Sequence, residues 1–168
     1  MSDFEYGHLL GLTYVSGQSD CYSILRTYCR ERYGLVFPNY ARPERFWEDS
    51  RLDLYGMYAS HGFVSAQDSN PQLGDVLLMP IRTEMVSHAA IVVEEGKILH
   101  HLPGRLSTLD SLRPRWASMA TMIVRHPLIT AVHQTEMKPV SFHEVVNARI
   151  LQHPDVQAAL ATTLATDN

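Results

Sequence analysis

The stretch "HAAIVVEEGKILHH", residues 88–101, reads as two short strands folded on each other, and its register decides which side chains share a face. The apolar run from His88 to Val93 and the run from Lys97 to Leu102 flank a turn ending in Gly96, the residue type that best tolerates positive φ. A three-residue loop, Glu94 to Gly96, pairs Val93 with Lys97 and makes His88 and His100 diagonal neighbours on one face. A two-residue loop would bring His101 to that face instead, because a one-residue slip turns every side chain over. The glycine at the end of the loop favours the three-residue reading, and hence His100.

Similar apolar runs lie on either side. "VLLMPI" (76–81) follows the turn-rich connector "SAQDSNPQLGD", and "MATMIVRH" (119–126) closes the set. The short turns between neighbours imply antiparallel pairing. Helical patterns come first in the chain. From Cys21 to about Arg32, Cys21, Leu25, Tyr28 and Cys29 recur at helical spacing, Ser19 and Asp20 offer N-terminal cap acceptors, and Gly34 ends the pattern. After the loop "FPNYARP" (37–43), a second helical pattern is expected from Pro43 through Phe46, Trp47, Leu54, Tyr55 and Tyr58 to His61-Gly62. Helices followed by strands make the class α+β with a mainly antiparallel sheet.

The chain has 168 residues, enough for one core of ordinary size, and no run approaches the roughly 18 apolar residues of a membrane span. A net charge of −4 with scattered basic residues argues against a nucleic-acid partner. The N-terminus "MSDFEYGHLL" lacks the charged and apolar regions of a secretory leader, so the expectation is a chain not addressed for export. Past Pro127 the sheet pattern stops. Residues 1–127 are therefore expected as the main domain and 128–168 as an added segment, in which "AVHQTEMKPV" reads as a polar linker. "SFHE" (141–144) then opens a short amphipathic helix as far as His153-Pro154, with another turn or two beyond.

Two cysteines at positions 21 and 29 would stand about 12 Å apart on one helix, beyond disulfide reach. A thiol in the first turn of a helix feels the positive end of its dipole, which favours the thiolate and marks Cys21 as a nucleophile. Taken alone, Cys21 reads better as a small buried apolar residue. His88 and His100 on one sheet face change that balance. A helix-start cysteine packed against the same face completes an arrangement of nucleophile, base and orienting residue. Metal binding by His88, His100 and His101 with Asp75 or Cys21 is a competing use. It is weakened because adjacent histidines on a strand point to opposite faces.

"DCYS" at a helix start, "LGDVLLM", "SHAAIVV" and "ILHH" resemble, in order and spacing, the NlpC family of cell-wall cysteine peptidases. "DCYSILRTYC", "YARPERFW", "ILHHLPGRLS" and "MIVRH" are similar to its branch among tail-tip assembly proteins of long-tailed phages. The resemblance runs from about Tyr14 to His126. It implies a papain-like fold with N-terminal helices packed on the antiparallel sheet, and cleavage of peptidoglycan stem peptides without a cofactor. The implied roles are Cys21 as nucleophile, His88 as base and His100 as third member, with Tyr14 and Asp20 holding the substrate amine. A tail-tip protein would be made in the host cytoplasm and carried by the virion to the next cell's wall, beside other tail-tip or hub proteins. The segment 128–168 would then dock on such a neighbour or cover the domain's own core. The alternatives are a catalytically silent component of the tail tip and a host cytoplasmic amidase.

Overall fold

A computed structural model describes residues 5–49, 51–66 and 70–136. Its first regular helix, α1 (Cys21–Tyr33), begins where the caps predict. The Asp20 carboxylate accepts from Ser23 N, and Gly34 at φ 70° closes the far end with its N–H on the carbonyls of Arg30 and Cys29. Six antiparallel strands follow: β1 (Val64–Ser65), β2 (Val76–Met79), β3 (His88–Glu94), β4 (Lys97–His100), β5 (Thr108–Ser111) and β6 (Met122–Arg125). They form one sheet in the order β1-β6-β2-β3-β4-β5. Two further helices, α2 (Pro114–Met119) and α3 (Pro127–Glu136), flank β6 in the chain. The class is α+β, with helices packed on one antiparallel sheet, as the resemblance implies.

The hairpin settles its register with a bulge. Glu94 pairs with Lys97 across a two-residue turn, a β-bulge then absorbs one residue between Val92 and Glu94, and Val92 faces Ile98. Past the bulge the pairing is the one a three-residue loop would impose, with Ala90 opposite His100. Gly96 at φ 68° makes the turn possible.

Each sheet face has its own core. α1 buries Cys21, Ile24, Leu25, Tyr28 and Cys29 against Val76, Leu78, Ala89, Ile91 and Leu99. The opposite face, Leu77, Met79, Ala90, Val92 and Ile98, is covered by Leu112, Trp116 and Met119. Strand alternation puts His88 and His100 with this second group. The expected packing of the cysteine helix on the histidine face is therefore corrected, for the helix lies on the other one. The apolar pattern marks the strands but does not say which of two apolar faces takes α1.

Three other expectations change. The second helical pattern resolves into two 3₁₀ turns, Phe46–Glu48 and Gly56–His61. Asp49 Oδ1 accepts from Arg51 N and Asp53 Oδ1 from Gly56 N, local bonds that compete with a continuous helix, although Phe46, Leu54 and Tyr55 are still buried. The strand expected over 119–126 is shortened to Met122–Arg125, because Pro114 at the first turn starts α2 and carries the helix to Met119. The expected linker begins within α3, where Ile129 is buried in the core and His133 Nε2 lies 2.8 Å from the Tyr33 hydroxyl. The helices expected beyond residue 140 lie outside the described residues.

Candidate active site

Cys21 stands at the first turn of α1, 5% exposed, and its Sγ lies 3.1 Å from the Tyr55 hydroxyl. The sulfur also accepts from Ala89 N, which sets it against the backbone immediately after His88. Cys21 and His88 thus come from opposite layers and both line one cleft of about 1860 Å³ near the start of β3. A cleft of this size exceeds the usual small-molecule pocket. Tyr14, Ser16, Asp110 and Trp116 also line it.

His88 and His100 lie together. His88 Nε2 is 3.0 Å from His100 Nδ1, and His100 Nε2 is 3.1 Å from Asp110 Oδ2. The Trp116 ring stands edge-on to His100, with centroids 4.7 Å apart. His88 Nδ1 is buried and has no hydrogen-bond partner among the described residues. His101 is turned away, its Nε2 3.1 Å from the Arg105 carbonyl and its ring edge-on to Tyr14. The register leaves His100, not His101, beside His88.

Burial pushes the Cys21 thiol up, and the Asp20 carboxylate adds to this; hydrogen bonds from Tyr55, Ala89 N and Tyr22 N act the other way without prevailing. This corrects the expectation of a thiol lowered by its helix position, since loss of solvent outweighs the dipole. Burial takes His88 down to about 3, with His100 and His101 adding to the effect. The resting pair is accordingly a neutral thiol and a neutral imidazole.

Tyr14 is held as a hydroxyl by burial and by the nearby Cys21 and Asp20. Asp20 departs from the role the resemblance implies. Its carboxylate is buried and accepts from Gly17 N (2.7 Å), Ser23 N (2.8 Å), Arg42 Nε (2.8 Å) and Arg42 Nη2 (3.2 Å). Four donors occupy its acceptor positions, so it caps the helix and holds Arg42 instead of meeting a substrate amine. Asp75, offered as a ligand in the metal reading, is engaged by Arg125, with Nε on Oδ1 at 2.7 Å and Nη2 on Oδ2 at 2.8 Å.

Sequence reasoning passed over Arg42, Tyr55 and Asp110. Arg42 lies in a segment read as a loop and quoted for the resemblance without a role of its own, and Tyr55 in a pattern read only as aromatic packing. Asp110 lies on β5, an edge strand with no apolar run to mark it.

The depressed His88 has a consequence for stability. An unfolded histidine titrates near 6.5 and the folded one near 3, so between these values the unfolded chain binds more protons and stability falls as pH falls. Going from pH 7.5 to pH 5 is expected to cost about 2 kcal/mol from His88 alone. His100, His101, His61 and His126 are displaced in the same direction. Urea midpoints at the two pH values check this, with a flatter dependence expected in His88→Gln; equal wild-type midpoints would contradict it.

A family model described as the NlpC/P60 family matches residues 3–125. The tail tip assembly protein K of Escherichia phage N15 is 31% identical over 120 residues, covering 70% of this chain and 49% of that protein. The tail tip assembly protein K of Escherichia phage lambda is 29% identical over 119 residues, covering 71% of this chain and 59% of that protein. The chain thus spans about half the length of the first relative and about three fifths of the second.

Proposed function

The chain belongs to the NlpC/P60 family, and on that basis we propose that it is a phage tail-tip protein that cleaves peptidoglycan stem peptides by thiol catalysis. The observation that carries the reading is Cys21 set against the start of β3, lining one cleft with His88, whose buried Nδ1 has no partner among the described residues. In this mechanism His88 takes the thiol proton as the sulfur attacks the peptide carbonyl. His100 holds the imidazole from behind. The amide nitrogen leaves with the proton from His88, and water then releases the acyl group from sulfur.

Tyr55 donates to the sulfur as negative charge develops on it, since burial keeps its hydroxyl protonated. Tyr14 lines the cleft near the thiol and engages the substrate's polar groups. Asp20 and Arg42 position the cysteine turn without touching substrate. The cleft is lined by arginines (Arg82, Arg105 and Arg113) and by carboxylates (Glu44, Glu48 and Glu84), a mixed set that can meet both the acidic and the amino groups of a peptide. The two relatives' names support placing the protein with other tail-tip components; action at the host wall follows from the peptidase reading alone. The test is release of soluble peptides from purified sacculi, with the new amino termini identified. A wild-type protein that releases none overturns the reading.

The burial of Cys21 favours a second reading, a structural component of the tail tip whose thiol does little chemistry. It predicts that native Cys21 resists iodoacetamide on the timescale of hours; alkylation of Cys21 within minutes, followed by mass spectrometry, would contradict it.

A further inference from the structure

We propose that Asp110 is a positioning residue of the site, fixing the proton positions of both histidines so that Nδ1 of His88 is left as the base. The inference rests on the peptidase reading above and adds a fourth member to its relay.

A carboxylate can only accept, so the bond between Asp110 Oδ2 and His100 Nε2 requires the proton to be on that nitrogen. A neutral imidazole carries one N–H, which makes His100 Nδ1 an acceptor. The atom 3.0 Å away is His88 Nε2, and it must donate. His88 then has its own proton on Nε2 and a lone pair on Nδ1, the buried atom without a partner among the described residues. Two hydrogen bonds thus transmit one constraint from the rim of the cleft to the atom that has to remove a proton. Burial keeps His100 neutral at pH 7, which the argument requires.

The fold builds this line deliberately across three strands. Ala90 pairs with His100 and Ile98 with Asp110, so His88, His100 and Asp110 are successive diagonal neighbours on one face. The Trp116 edge keeps the middle ring from turning. Without the carboxylate, His100 is free to hold its proton on Nδ1 and donate it to His88 Nε2. His88 would then carry its proton on Nδ1 and could not accept one from the thiol. The same logic holds for a buried aspartate behind a catalytic histidine, where an amide replacement leaves the geometry and loses the tautomer.

The test uses the full chain with ¹⁵N-labelled histidine at pH 7.5, reading imidazole nitrogen shifts in the wild type, Asp110→Asn and Asp110→Glu beside their melting temperatures. The wild type is expected to show His88 protonated on Nε2. In Asp110→Asn both histidines should move toward mixed tautomers, and kcat on a stem peptide should fall about 100-fold with KM within about threefold. Asp110→Glu should recover part of both. A wild type with His88 protonated on Nδ1, or an Asp110→Asn variant with unchanged shifts and kcat, overturns the proposal. The wild-type spectrum decides even where a variant fails to fold. Because the spectra do not depend on turnover, a protein with the expected tautomers that cuts no peptide defeats the peptidase reading alone.

Discussion

Cys21→Ala is expected to reduce peptide release from sacculi to background, a loss of about 10⁴-fold or more, because no other group in the cleft replaces the attacking sulfur. The same substitution strands the hydroxyl of the buried Tyr55, which has Cys21 as its hydrogen-bond partner. Leaving such a group unpaired costs about 1–3 kcal/mol, so the variant should melt lower while staying folded at 25 °C. Adding Tyr55→Phe should recover part of the stability and none of the activity. That split separates the chemistry of the thiol from its packing. Peptide release by Cys21→Ala at the wild-type rate would remove thiol catalysis from consideration.

Arg42→Ala is expected to have the largest effect on the fold. The guanidinium is buried, and its five N–H groups are spent: Nε and Nη2 on Asp20, Nη2 also on Ser23 Oγ at 2.9 Å, and Nη1 on the Tyr40 carbonyl at 2.6 Å and Asn39 Oδ1 at 3.1 Å. Its Cζ also stands 4.8 Å from the Tyr22 ring centroid. Removing it abandons the Asp20 charge at the start of α1, and breaking a buried pair in this way costs about 3–5 kcal/mol. Since Asp20 already pushes the Cys21 thiol up, an uncompensated carboxylate should push it further and slow alkylation. Asp20→Asn added to Arg42→Ala should recover much of the loss, because the amide oxygen still caps Ser23 N and no charge is left behind. Denaturant midpoints of the two single variants and the double variant give the coupling. A loss under 1 kcal/mol in Arg42→Ala would show the pair to be unimportant.

Both predictions concern groups that differ in how visible they are before the chain folds. Cys21 is marked by the cap and the periodicity around it, and its place at the first turn of α1 follows from local rules. Arg42 is one basic residue in a proline-bounded loop, and only the closed domain shows that its charge is buried against Asp20. Tyr55 is similar, for an aromatic residue among aromatics gives no sign that its hydroxyl will meet a sulfur.

The chain's local chemistry determined the ends of α1 and the two strands of the hairpin, because caps, turn glycines and period-two alternation act over a few residues; that His100 and not His101 stands beside His88 was decided by the bulge between Val92 and Glu94, which the turn residues do not announce. Tertiary structure decided which face of the sheet α1 covers, since both faces are apolar and the pattern does not distinguish them. It also decided that burial, and not the helix dipole, sets the state of the Cys21 thiol. Last, it brought Asp110 to the end of the histidine line from a half-exposed edge strand. Desolvation and contacts between distant segments exist only once the layers close, and no window of sequence contains them.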